Sequence, residues 1–244
     1  MGELVERVTN VVANTTGNIV NPAVVALMAA AGVATGNPDL AIAAVPGGAL
    51  AGALADEGVA LVRRAWQDRS DRVGRFASTA AKEAGVPIEE LIGQTTEDPR
   101  LRELMARTVE SAAGAFDTTK VEILARAFVR GAKDGAAIDE MLLLVEILRG
   151  LEVPHIRLLA AVWRQGPGAT GNQSRPVGDG TLLDNNIANS DPALAPVVIP
   201  LRRKLAEQDL VEEVQGGTRL TDYGVYVAGA LNDLGVRQLT AGAW

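Results

Sequence analysis

The chain has 244 residues, enough for one large domain or two modest ones with real cores. Apolar residues make up 48% of it and aromatics only 3%, a balance that suits closely packed Ala- and Leu-rich helices better than aromatic-rich sheets. The absence of cysteine and the single histidine exclude disulfides, thiolate chemistry and Cys or paired-His metal sites, and a net charge of −7 opposes nucleic acid and anionic lipid.

The first residues, MGELVERV, lack the basic segment of a secretory signal, so the expected location is cytoplasmic, with membrane association as the alternative. Arg far outnumbers Lys throughout, as in a high-GC genome, so the Arg excess is no sign of phosphate binding.

From Thr9 to Ala55 the only charge is Asp39. IVNPAVVALMAAAGVATG and LAIAAVPGGALAGALA flank an NPD turn and read as a helical hairpin spanning residues 11–62. Its second helix continues through DEGVALVRRAWQDRSDRVGRF and becomes amphipathic as it leaves the apolar section. Gly48 and Gly52, with Ala51 and Ala55, form small-residue steps that let another backbone come close. Three readings follow: a hairpin buried in the core or in a homo-oligomer interface, a membrane-inserting hairpin, or an arm without fixed structure. A membrane span wants about 20 strongly apolar residues. These segments are shorter and are interrupted by Asn21, Pro22, Pro46 and several glycines, although Arg63-Arg64 before Trp66 resembles an interfacial anchor. Burial against protein is the favoured reading.

Residues 80–165 read as successive short helices. VPIEELIG has Pro87 and two early glutamates, which suit a helix start. Asp98-Pro99 caps and opens LRELMARTVESAAGA, where Leu101, Leu104, Met105 and Val109 share a face. Asp117 or a following threonine caps the next helix, whose Val121, Leu124, Ala125, Phe128 and Val129 make an unbroken stripe. IDEMLLLVEILRGL is apolar on nearly every face and is expected to be central. Pro154 opens HIRLLAAVWRQ. Short connections favour antiparallel neighbours in a bundle, and no fixed-period repeat supports a solenoid.

Signs of chemistry are few. GPGATG (166–171), with Asp191 about twenty residues on, matches the letters of a dinucleotide fingerprint. It follows a helix rather than a strand and precedes NQSRPVGDG rather than a helix, so no helix start faces a pyrophosphate. Residues 166–180 read as a loop or an insertion. There is no G-K-[ST] tripeptide. Glu89-Glu90 and Asp139-Glu140 are explained by first-turn dipole complementarity, and His155 by its place at a helix start. The Asn14-Thr15-Thr16 sequon has no bearing on a chain without a signal peptide. No catalytic, cofactor or metal site is expected.

The C-terminal part resembles a winged-helix domain. The residues that carry the resemblance are the order PVVIPLRRKLAEQDL, LVEEV, QGG, TRL, and then DYGVYVAGALNDL behind Thr221. It implies a first helix at 154–165 and a short second helix in TLLDNNIANS. PVVIPLRRKLAEQDL would be the third helix, and a wing with its tip at Gly216-Gly217 would precede a closing helix capped by Thr221. It departs from the family in its long 166–180 loop and in the prolines at 192, 196 and 200. A recognition helix reads bases with polar residues near its start. Here that start is Ala195, Pro196, Val197, Val198, Ile199 and Pro200, and only Arg202, Arg203, Lys204 and Arg219 can reach phosphates. The alternative packs Val197, Val198 and Ile199 inside and leaves the basic triplet solvated. The Gly/Ala hairpin, the short-helix bundle and the PHIRLL helix (154–159) that follows resemble arrangements in uncharacterised bacterial proteins, and that likeness implies no activity.

The expectation is a mainly α-helical protein. Residues 1–150 form a helical bundle with the uncharged hairpin, and residues 151–244 a winged-helix-like domain with a small β-hairpin. The expected function is that of a non-enzymatic interaction protein. It self-associates through Gly48, Ala51, Gly52 and Ala55, and contacts an unnamed protein partner through the C-terminal module. A DNA-binding regulator using Arg202, Arg203, Lys204 and Arg219 is the first alternative. A membrane-active or pore-forming effector using residues 11–62 is the second.

Overall fold

A computed structural model describes residues 56–95, 97–165, 182–183, 191–214 and 217–235. The hairpin expected at 11–62 lies outside them except for its last seven residues. Gly48, Ala51, Gly52 and Ala55 are among the residues not described, as is the 166–180 loop.

The architecture is mainly helical with a small antiparallel sheet near the C-terminus. In chain order the helices are α1 (Asp56–Ala84), α2 (Ile88–Thr95), α3 (Pro99–Gly114), α4 (Thr118–Lys133), α5 (Ile138–Arg149), α6 (Val153–Gln165), α7 (Val198–Glu207) and α8 (Asp222–Asp233). The strands are β1 (Leu182–Leu183), β2 (Val211–Val214) and β3 (Gly217–Leu220). Among the described residues no helix is long and apolar enough to cross a membrane. The chain divides into two compact units between Glu146 and Ile147, within α5.

Helix starts in the first unit follow from side chains that satisfy free backbone donors. Asp98 accepts from Arg100 N–H at 2.8 Å and is followed by Pro99, whose missing N–H costs nothing at that position. Asp117 accepts from Thr119 N–H at 2.7 Å, and Asp134 from Ala136 N–H at 3.0 Å. The last of these opens a single 3-10 turn, Gly135–Ala137, ahead of α5.

The central helix of this unit is α4, which packs against α1, α2 and α3. This corrects the expectation that 138–151 would be central. The α5 stripe of Ile138, Met141, Leu144, Val145 and Leu148 is buried, but Leu143 on its opposite face is 45% exposed. An apolar pattern on nearly every face marked α5, whereas burial around the helix marks α4. The buried residues of α4 include Val121, Leu124, Ala125, Phe128 and Val129, but also Lys120, Ile123, Ala127 and Gly131 around the rest of its circumference. A Cβ at Gly131 would collide with the end of the Leu104 side chain, which reaches from α3 into the space the glycine leaves. Phe76 of α1 meets Phe128 of α4 with ring centroids 5.9 Å apart and planes tilted by 38°, a favourable aromatic geometry.

In the second unit α6 carries Ile156, Leu158, Leu159 and Val162 into the core, and both α7 and α8 pack on α6. The α7 stripe is Val198, Leu201 and Leu205; the α8 stripe is Gly224, Val227, Ala228 and Leu231, spaced i, i+3, i+4, i+7. Val225 is exposed, because it lies about 100° around the helix from Gly224.

Phe128→Ala should cost about 3–5 kcal/mol, read as a fall in denaturation midpoint. Phe116→Ala, at a residue 87% exposed between α3 and α4, should change stability by less than about 0.5 kcal/mol.

Candidate functional site

The sheet has the order β1-β3-β2, antiparallel throughout. In the hairpin, Val211 pairs with Leu220, Glu212 with Arg219, Glu213 with Thr218 and Val214 with Gly217. Leu182 and Leu183 pair with Thr218 and Gly217 on the other edge. These two leucines were expected in a short helix over 181–190. They form a strand because β3 offers them an unpaired edge, a tertiary condition that two leucines cannot signal. Gly217, expected at the wing tip, is instead a β3 residue paired with Val214; the other residues of the 181–190 segment, and Gln215 and Gly216, lie outside the described residues.

A tight junction ties the hairpin to α8. Asp209 takes a left-handed backbone (φ 56°), a conformation Asp tolerates better than most residues, and turns the chain from α7 into β2. Thr221 N–H donates to the Leu210 carbonyl at 3.3 Å. The Thr221 hydroxyl donates to the Asp209 carbonyl and accepts from Gly224 N–H at 2.9 Å, so it caps α8 and closes the turn together. A Cβ at Gly224 would overlap the Leu210 carbonyl; no other residue fits there without moving the strand. Tyr223, in the same turn, is half-buried, and burial pushes its hydroxyl above the usual phenol range.

The four cations expected to reach phosphates do not stand as a free basic patch. Arg202 Nε donates to Glu213 Oε1 at 3.1 Å, from a side chain only 14% exposed. Arg219 donates to Oε1 of its cross-strand partner Glu212 through Nε at 2.8 Å and Nη2 at 2.7 Å. Lys204 Nζ lies 3.2 Å from Glu207 Oε2, one turn along α7. Arg203 is exposed, and among the described residues it has no ionic partner.

The start of α7 is apolar and exposed. Pro196 and Pro200 are exposed, Val197 is 38% and Ile199 59% exposed, and Val198 alone of the three aliphatics is buried. The alternative that packed all three inside is therefore corrected. Val198, Leu201 and Leu205 define the buried stripe, and the helical period leaves Ile199 pointing away from it, while Val197 lies before the helix at the end of the 3-10 turn Ala195–Val197.

Other singled-out residues have structural partners. Arg157 of α6 donates through Nε and Nη2 to Asp191 Oδ2, the former at 3.0 Å. Asp191 is thus half of a largely buried ion pair that ties the chain before α7 to α6. His155 Nδ1 accepts from Glu152 N–H at 3.1 Å, the reciprocal bond of a capping box at the start of α6. Among the described residues no three Asp, Glu or His side chains gather as a metal site would require. Comparison with protein-family models, curated proteins and solved structures finds no match for this chain.

The junction yields graded expectations. Thr221→Ala should cost about 1 kcal/mol and Thr221→Ser much less, since serine keeps the capping oxygen. Gly224→Ala should cost at least about 1–3 kcal/mol, because the added methyl meets backbone rather than a side chain that can swing aside. Thermal unfolding of the three variants, each with retained helicity, checks the order.

Proposed function

We propose that the chain is a non-enzymatic interaction protein that self-associates through residues 11–62 and contacts a protein partner with a winged-helix-like C-terminal module. The observation that carries the second part is the start of α7. The end of the helix that would face base edges presents Pro196, Val197, Ile199 and Pro200, none with a side-chain donor or acceptor, and keeps Val197 and Ile199 in solvent. Exposed aliphatics and prolines at a helix start suit an apolar protein surface and cannot read a base sequence. The family likeness draws support from the element order α6, β1, α7, β2, β3 and from the sheet order β1-β3-β2.

Self-association draws support from the sequence alone. An uncharged segment rich in Ala and Gly needs cover, and Gly48 and Gly52 permit close backbone approach. DNA binding remains the second reading on the strength of exposed Arg203 beside a hairpin. Its cost is that a few phosphate contacts without base contacts give weak, salt-sensitive binding.

Two measurements test the proposal. Light scattering in detergent-free buffer should give a mass above that of the monomer, reduced by Gly52→Leu; a monomer at tens of micromolar would remove self-association. A photo-reactive side chain placed at Ile199 of the full chain should give discrete protein adducts in cells, lost with Val197→Asp. Adducts to nucleic acid at that position would overturn the protein-contact reading.

A further inference from the structure

The charges on α7 and the hairpin balance within the surface itself. Between Val198 and Leu220 the cations are Arg202, Arg203, Lys204 and Arg219, and the anions are Glu207, Asp209, Glu212 and Glu213, so the formal charge is zero. The balance is also local. Three of the four cations have a carboxylate oxygen within 3.2 Å. Two of those carboxylates, Glu212 and Glu213, sit on the same strand and reach opposite ways, one across the hairpin to Arg219 and one back to α7 at Arg202.

We infer that Glu207, Glu212 and Glu213 hold this module off nucleic acid by masking the cations that would otherwise bind phosphate. Surface ion pairs of this kind contribute little to stability, about 0–1 kcal/mol each, because solvent screens both partners. Their effect on an approaching polyanion is larger. Paired charges look like dipoles from beyond the Debye length of about 8 Å, so there is no long-range attraction to steer DNA toward the surface. At contact, a phosphate that reaches Arg202 or Arg219 meets a carboxylate already in place. Like-charge juxtaposition of this sort excludes wrong partners at an interface. The exposed aliphatics at the start of α7 carry no charge and are unaffected, so the same surface stays open to an apolar protein partner. This inference rests on the protein-contact reading and adds what enforces it.

The test uses the full chain and a duplex DNA of random sequence, with affinity measured as a function of salt. The variant is Glu207→Gln/Glu212→Gln/Glu213→Gln, which keeps side-chain shape and removes three charges from carboxylates that are each about half exposed. Helicity and melting temperature close to the wild type establish that it folds. Glu212→Gln alone, which frees only Arg219, gives a second and smaller step in the same direction. The wild type should bind with a slope of log affinity against log salt no steeper than about −1, from Arg203 alone. The triple variant should bind at least about tenfold more tightly at low salt, with a slope between about −2 and −4. Adding Arg202→Gln and Arg219→Gln should cancel most of that gain, which a general change in net charge would not do. A folded triple variant with wild-type affinity and slope would overturn the masking and leave the protein-contact reading intact. A gain that persists undiminished without Arg202 and Arg219 would also overturn it. A wild-type chain that already binds duplex DNA with a slope near −3 would overturn both.

Discussion

The C-terminal unit depends on the contact between the Leu210 carbonyl and the start of α8. One carbonyl accepts from Thr221 N–H and lies against the bare Cα of Gly224, while the Thr221 hydroxyl bridges Asp209 and Gly224. That arrangement fixes where β2 begins, where β3 ends and how α8 leaves the sheet. With the strand ends fixed, the hairpin register follows, and it sets Glu212 opposite Arg219. Glu213 then comes within reach of Arg202 on α7. A packing constraint at one peptide group thereby determines the charge pattern of a whole surface.

That surface combines two properties that are seldom useful together to a DNA reader. Three of its four cations are paired, and its leading helix start is aliphatic. A nucleic-acid interface draws much of its affinity from phosphate neutralisation and its selectivity from polar base contacts. Here Arg203 alone of the four cations lacks a carboxylate beside it among the described residues, and the helix start offers no polar side chain. An apolar protein surface asks for exposed aliphatic area with little charge to desolvate, and the start of α7 supplies that.

Much of the architecture was legible because it is encoded locally. Asp98-Pro99, Asp117 and Thr221 mark helix starts through their own backbone neighbours, and the Val121-to-Val129 stripe needs only the helical period. The hairpin could be read from two short β-prone runs around QGG. What escaped depends on contacts between distant residues. Two leucines become a strand only because β3 leaves them an edge. The Arg202–Glu213 pair joins a helix to a strand, and packing against α1, α2 and α3 makes α4 central where an all-round apolar pattern favoured α5. The Glu212–Arg219 pair was within reach, since the two residues are nearly equidistant from the turn. The exposure of Ile199 also followed from the helical period once Val198 was assigned to the core; that of Val197 did not, because it lies before the helix in a 3-10 turn.

The central claim is that the start of α7 meets protein and cannot select a DNA sequence. The most direct measurement is repeated selection of duplexes from a random-sequence pool by the full wild-type chain at physiological salt. The account predicts that no sequence is enriched over successive rounds. Enrichment of a defined motif, lost on replacing Val197 and Ile199 with residues that keep the fold, would contradict it.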